Sequence, residues 1–214
     1  MAHWKLNLVK EDLSKSLNKS EKLAFVASEW NRAGKISGVP RFSTDHLDMV
    51  VGLAFLSGFL AWERFLEESF VLYLIGKSAP NGYKPFRYVI PKNRQHANEF
   101  CRGDRRFPGW DDVNFVTSRS DQFFLEGKPF TDSLRTVINS LNNMKTIRNA
   151  IAHQSTESQD RFENLVRREL GHLPHRTNPG NFLLRNIVGS TPPSSYLEFF
   201  FDTLLSTAFR IVPS

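Results

Sequence analysis

Cysteine is nearly missing from this chain: Cys101 is the only one. No disulfide can form within the chain, and thiol-rich metal sites are excluded. Long hydrophobic runs are missing as well. The most apolar uncharged stretch, Met49 to Trp62, meets Glu63 and Arg64 at once and falls short of the roughly 18 to 20 residues that cross a bilayer. Met1 to Ser20 are studded with Lys, Glu and Asp and have no apolar segment like that of a signal peptide. Clear β alternation is scarce, and there is no internal repeat or low-complexity tract. These absences lead us to expect a soluble, cytoplasmic, largely helical protein with no membrane partner.

What is present fits a folded domain. The 214 residues are 40% hydrophobic and 23% charged, with 19 Phe, enough for one well-buried domain with an aromatic core. A formal net charge of +6 and a pI near 9.6 tilt the partner toward a polyanion such as nucleic acid.

Residues 1–43 read as a polar N-terminal extension with one helix around Glu21 to Arg32, closed by the Gly- and Pro-containing turn at 34–41. Residues 44–214 read as an all-α helical domain. Its first long helix is capped by Ser43 or Thr44 and ends at Gly76. Leu47, Val51, Ala54, Phe55, Trp62, Phe65, Leu66, Ser69 and Tyr73 follow one helical face. Apolar residues elsewhere on that helix require cover on several sides. Pro80, Gly82, Pro85, Pro91, Pro108 and Gly109 mark an irregular, loop-rich insertion with short elements at about 77–130. A second strong helix capped by Thr131 is expected to run unbroken to His153, a third over Glu157 to Leu170, and a last over Ser194 to Phe209.

The end of the second strong helix carries the residues best suited to chemistry. Asn149 and His153 are four apart and share a helical face; Arg148 and His153 are roughly 140° apart around the axis. They converge if His153 lies in a loosened last turn. Arg148 can hold a phosphate through two parallel hydrogen bonds, His153 can move protons near neutrality, and Asn149 can orient either. RNA brings its own nucleophile, the 2′-OH, so no metal, cofactor or protein nucleophile is required. An Arg and a His at this spacing occur by chance in many proteins, and the same residues also read as a surface arginine and a histidine favoured by the helix dipole.

The segment Arg148-Asn149-Ala150-Ile151-Ala152-His153 resembles the Arg-x4-6-His motif of the HEPN superfamily, with a polar residue directly after the arginine and a matching place near the end of a late core helix. Phe59-Leu60-Ala61-Trp62-Glu63-Arg64-Phe65-Leu66-Glu67-Glu68 is similar to the first long helix of HEPN domains of the RiboL-PSP type. The resemblance covers about residues 44–210, and only the six-residue motif is specific. It implies a HEPN-like bundle that dimerises so that two motifs face one cleft. It further implies metal-independent endoribonuclease activity in a toxin or anti-phage effector, leaving cyclic phosphate and 5′-hydroxyl ends, with a possible neutralising antitoxin. Some relatives are non-catalytic modules that bind RNA, nucleotides or proteins, and a purely structural dimerisation domain is a third reading.

In the insertion, Lys84, Arg87, Lys92, Arg94, Arg102, Arg105 and Arg106 interleave with Tyr83, Phe86, Tyr88, Phe100, Phe107 and Trp110. Cations and rings suit single-stranded RNA; a solvated basic loop anchored by its aromatics is the equal alternative. Glu63, Glu67 and Glu68 either orient the motif or form helix-surface ion pairs. His172 and His175 have no Cys, Asp or Glu cluster beside them and read as loop residues rather than zinc ligands.

Overall fold

The computed structural model describes residues 5–37, 42–103, 108–153 and 155–214. Every regular element among them is helical: α1 (Leu6–Ser37), α2 (Thr44–Leu74), α3 (Arg94–Arg102), α4 (Val113–Phe123), α5 (Phe130–Arg135), α6 (Ile138–Ala152), α7 (Thr156–Leu170), α8 (Pro179–Leu183) and α9 (Tyr196–Ile211), with a 3-10 turn at Leu125–Gly127. β pairing is limited to two isolated bridges, Arg87 with Phe124 and Asn186 with Ser195. The all-α expectation holds.

The chain forms two compact units: Met1–Ser14, Ala61–Asn142 and Thr203–Ser214 make the first, Lys15–Leu60 and Asn143–Asp202 the second. Helices α1, α2, α6 and α9 each contribute a part to both. The polar lead-in therefore does not form a separate piece. Nearly all of its described residues form one 32-residue helix, far longer than the helix expected at Glu21 to Arg32. Its buried positions, Leu6, Val9, Leu13, Leu17, Ser20, Ala24, Ala27 and Asn31, keep three-and-four spacing throughout.

In the first unit, Phe70 is fully buried at the centre of an aromatic cluster. Its ring centroid lies 5.4 Å from Trp110, 6.3 Å from Phe123, 5.0 Å from Phe124 and 4.9 Å from Phe130. All four of these rings come from the stretch at about 77–130 that is punctuated by Pro and Gly. It folds into α3, capped by Asn93, and α4, capped by Asp112, because its apolar residues supply this core. The Tyr73 hydroxyl donates to the carbonyl of Ile211 at 2.7 Å, and Lys10 Nζ to that of Val212 at 2.8 Å, so α9 is tied down by side chains from α1 and α2.

In the second unit, Phe55 stacks on Phe201 with centroids 6.2 Å apart, and Phe182 stacks on Tyr196 at 4.4 Å. A Cβ on Gly58 would come within 2.5 Å of the Phe201 ring, so the glycine permits this close approach. Asp48 on α2 accepts from the backbone N–H of Asn181 at 3.0 Å and so holds the start of α8.

Helix α2 follows its expected course within a residue or two. By length and composition it is long and apolar enough to cross a membrane, with a mean hydropathy of 1.5 over its most apolar window, half of which is buried inside the protein. The uncharged run alone is too short; the helix that contains it is not. The second strong helix is likewise not continuous. It is split into α5 and α6 at Thr136–Val137, where Val137 N–H bonds the carbonyl of Leu134, three residues back, at 3.1 Å. Thr131 does not cap it: its hydroxyl donates to Asp121 Oδ1 at 2.7 Å.

Candidate functional site

The buried face of α6 in the second unit consists of Met144, Ile147 and Ala150. Ile151 lies beside Gly52 of α2, 3.7 Å from where a Cβ would stand. With these positions turned inward, Arg148 and Asn149 are half-buried and His153 is exposed, one residue beyond the last helical position.

The chain turns sharply there. His153 N–H donates to the carbonyl of Asn149 at 2.8 Å. Its own carbonyl accepts short hydrogen bonds from the Ser155 N–H and the Ser158 hydroxyl. Ser155 is also the N-cap of α7, accepting from Ser158 N–H at 3.3 Å. Both sides of His153 are thus anchored, and its ring folds back over Arg148. Arg148 Nη1 lies 3.3 Å from His153 Nε2 and 3.0 Å from Asn149 Oδ1.

The convergence needed for the motif to act as one unit is therefore present, by a different route from a shared face. Asn149 contacts Arg148, and Arg148 contacts His153. A guanidinium has donors only, so this contact is a hydrogen bond in the tautomer that leaves His153 Nε2 free to accept.

The roles of Ser155 and Ser158 do not follow from the motif, although a Ser immediately before a helical pattern is a helix-start signal. Ser158→Ala removes one of the two anchors on the His153 carbonyl. We expect a fold stability lower by about 1 kcal/mol and, if the motif cleaves RNA, a rate reduced on the order of tenfold through loss of positioning. Denaturation and single-turnover cleavage measured side by side check this; an unchanged rate would show that the corner does not position His153.

The remaining candidates fall elsewhere. Glu63 and Glu67 stand on the part of α2 in the first unit, whereas Arg148 to His153 belong to the second. Glu68 pairs with Arg94. Burial, with the neighbouring Glu68, pushes the Glu67 carboxyl above the usual glutamate range, against the opposing pull of Arg94 and Arg64. Its proton is held more tightly in the folded chain than in the unfolded one, so folding is favoured at low pH and that advantage fades as pH rises through the raised value. Glu67→Gln should then be more stable than wild type at pH 8, the gap closing toward pH 4. Urea midpoints at both values test this, and a gap independent of pH would refute it.

Of the insertion's cations, Arg87 Nη1 donates to the carbonyl of Leu74 at 2.8 Å, closing the end of α2, and Arg94 is engaged by Glu68. Lys92 and Arg102 are exposed. Arg105 and Arg106, with Phe107, lie outside the described residues. Trp110 is buried and Phe100 stacks near Phe123 at 6.3 Å, so these rings anchor the core. Phe86 and Tyr88 remain 65% and 54% exposed. His172 and His175 are exposed loop residues, and among the described residues no three of His, Cys, Asp and Glu group to hold a metal ion. Cys101 is buried and burial pushes its thiol up to about 12, which removes it as a nucleophile at neutral pH.

No protein-family model, curated protein or solved structure matches the chain.

Proposed function

We propose that the protein is a HEPN-like endoribonuclease that cleaves RNA without a metal ion, using Arg148, Asn149 and His153. The observation that carries this reading is the 3.3 Å approach of Arg148 Nη1 to His153 Nε2 at an exposed helix end, with Asn149 on the same guanidinium. An incoming phosphate competes for that guanidinium, and a charge-assisted bidentate pair is stronger than a bond to a neutral imidazole. Its arrival frees the Nε2 lone pair.

His153 then accepts the proton of the 2′-OH as that oxygen bonds to the adjacent phosphorus. The bond from phosphorus to the 5′-oxygen breaks, and the departing oxygen takes up a proton from solvent water. The products are a 2′,3′-cyclic phosphate and a 5′-hydroxyl. Arg148 stabilises the added negative charge of the transition state. The resemblance supplies the wider reading: a cytoplasmic homodimer with a composite site, acting as a toxin or anti-phage effector with an antitoxin or other defence partner.

The test is RNA cleavage in excess EDTA with the cut ends mapped. Cyclic-phosphate ends support the reading. Saturable, salt-sensitive binding without cleavage would instead mark a non-catalytic RNA-binding module.

A further inference from the structure

Within the first unit, residues 84–92 are non-helical, pair at Arg87 in an isolated bridge, bend at Tyr88 and alternate strictly in exposure. Lys84, Phe86, Tyr88, Ile90 and Lys92 are all exposed, whereas Pro85 and Pro91 are buried and Arg87 and Val89 half-buried. The segment is held in place from behind. Tyr88 N–H donates to the Phe123 carbonyl at 2.9 Å, Leu125 N–H donates to the Phe86 carbonyl at 3.1 Å, and Arg87 bonds Leu74. The exposed side chains of this strip are, in order, a cation, two rings, an aliphatic group and a cation. The Phe86 and Tyr88 rings meet edge to face at 5.9 Å, which leaves ring surface open to solvent.

We infer that this strip is a binding platform for single-stranded RNA, with Phe86 and Tyr88 stacking on bases and Lys84 and Lys92 pairing with flanking phosphates. Exposed rings on a rigid backbone are costly in water and are suited to π-faces that any base supplies. No carboxylate occurs between Lys84 and Asn98, and among the described residues no acid pairs with either lysine. The charge is complementary to a polyanion. Bases inside an A-form duplex are already stacked, so the strip selects single strands. The inference rests on the ribonuclease reading for the identity of the strand as RNA, and gives that reading a substrate-holding surface.

The experiment measures anisotropy of a short, unstructured, fluorophore-labelled RNA with His153→Ala protein, which keeps the probe intact. Adding Phe86→Ala and Tyr88→Ala should weaken binding on the order of tenfold per ring. Lys84→Gln with Lys92→Gln should reduce the slope of log affinity against log salt by about 1.4. All four side chains are exposed, so unchanged melting temperatures should accompany these losses. Unaltered affinity in both sets, or duplex RNA bound equally well through the same rings, overturns the platform. Binding of phosphatidylserine vesicles through these side chains, with RNA affinity unaltered, also overturns it. Wild-type cleavage is scored separately. If wild type cuts nothing while the strip variants lose RNA binding, the ribonuclease reading fails and the platform stands. If wild type cuts and the strip variants bind normally, the platform alone fails.

Discussion

His153→Ala is expected to lower RNA cleavage by on the order of 10³-fold in EDTA, because it removes the only group in the motif able to take a proton near neutrality. The side chain is exposed, so the melting temperature should stay within about 2 °C of wild type. Arg148→Ala should cause a loss of the same order, by leaving the transition-state charge without its fork of donors. Arg148→Lys should rescue little, since an ammonium restores the charge but not the two parallel bonds. Single-turnover rates on one RNA substrate, with thermal melts on the same samples, make the comparison. Full activity in both alanine variants would end the ribonuclease proposal. Loss of activity only together with loss of fold would mean that the pair is a structural clasp.

The second large effect is on stability. Phe70→Ala should cost about 3 to 5 kcal/mol, since a fully buried ring is replaced by a cavity whose walls are four other rings. For a chain of this size that lowers the melting temperature on the order of 10 °C. Phe86→Ala, which removes an equally large but exposed ring, is the matched control and should change little. Urea unfolding of the two variants decides it; a Phe70→Ala cost below about 1 kcal/mol would mean that the cluster is not the core of its unit.

Much of this organisation was legible in the residues. The apolar spacing of α2, the Gly76 stop, the periodicity of α7 and α9 and the polar break after His153 are local signals, and each reappears in the structure. Helix α1 was less legible because half of its buried face is Ser20, Ala24, Ala27 and Asn31. Small and polar residues give a faint periodic signal even where they pack against a core. In the insertion the short elements could not be placed for the opposite reason: its prolines and glycines mark turns between short helices, and the punctuation is stronger than the periodicity between the marks.

The motif divides in the same way. That Arg148, Asn149 and His153 lie within six residues at the end of an apolar-striped helix is a matter of local sequence, and the sequence by itself determined it. That Arg148 reaches His153 depends on the anchored corner, where Ser155 and Ser158 hold the His153 carbonyl and turn the ring back. Tertiary structure also sorted the basic, aromatic insertion, placing Trp110 and Phe100 toward the core, engaging Arg87 and Arg94, and leaving Lys84, Phe86, Tyr88, Ile90 and Lys92 outward. Sequence sets which side chains alternate along a strand, but only packing decides which face of that alternation meets water.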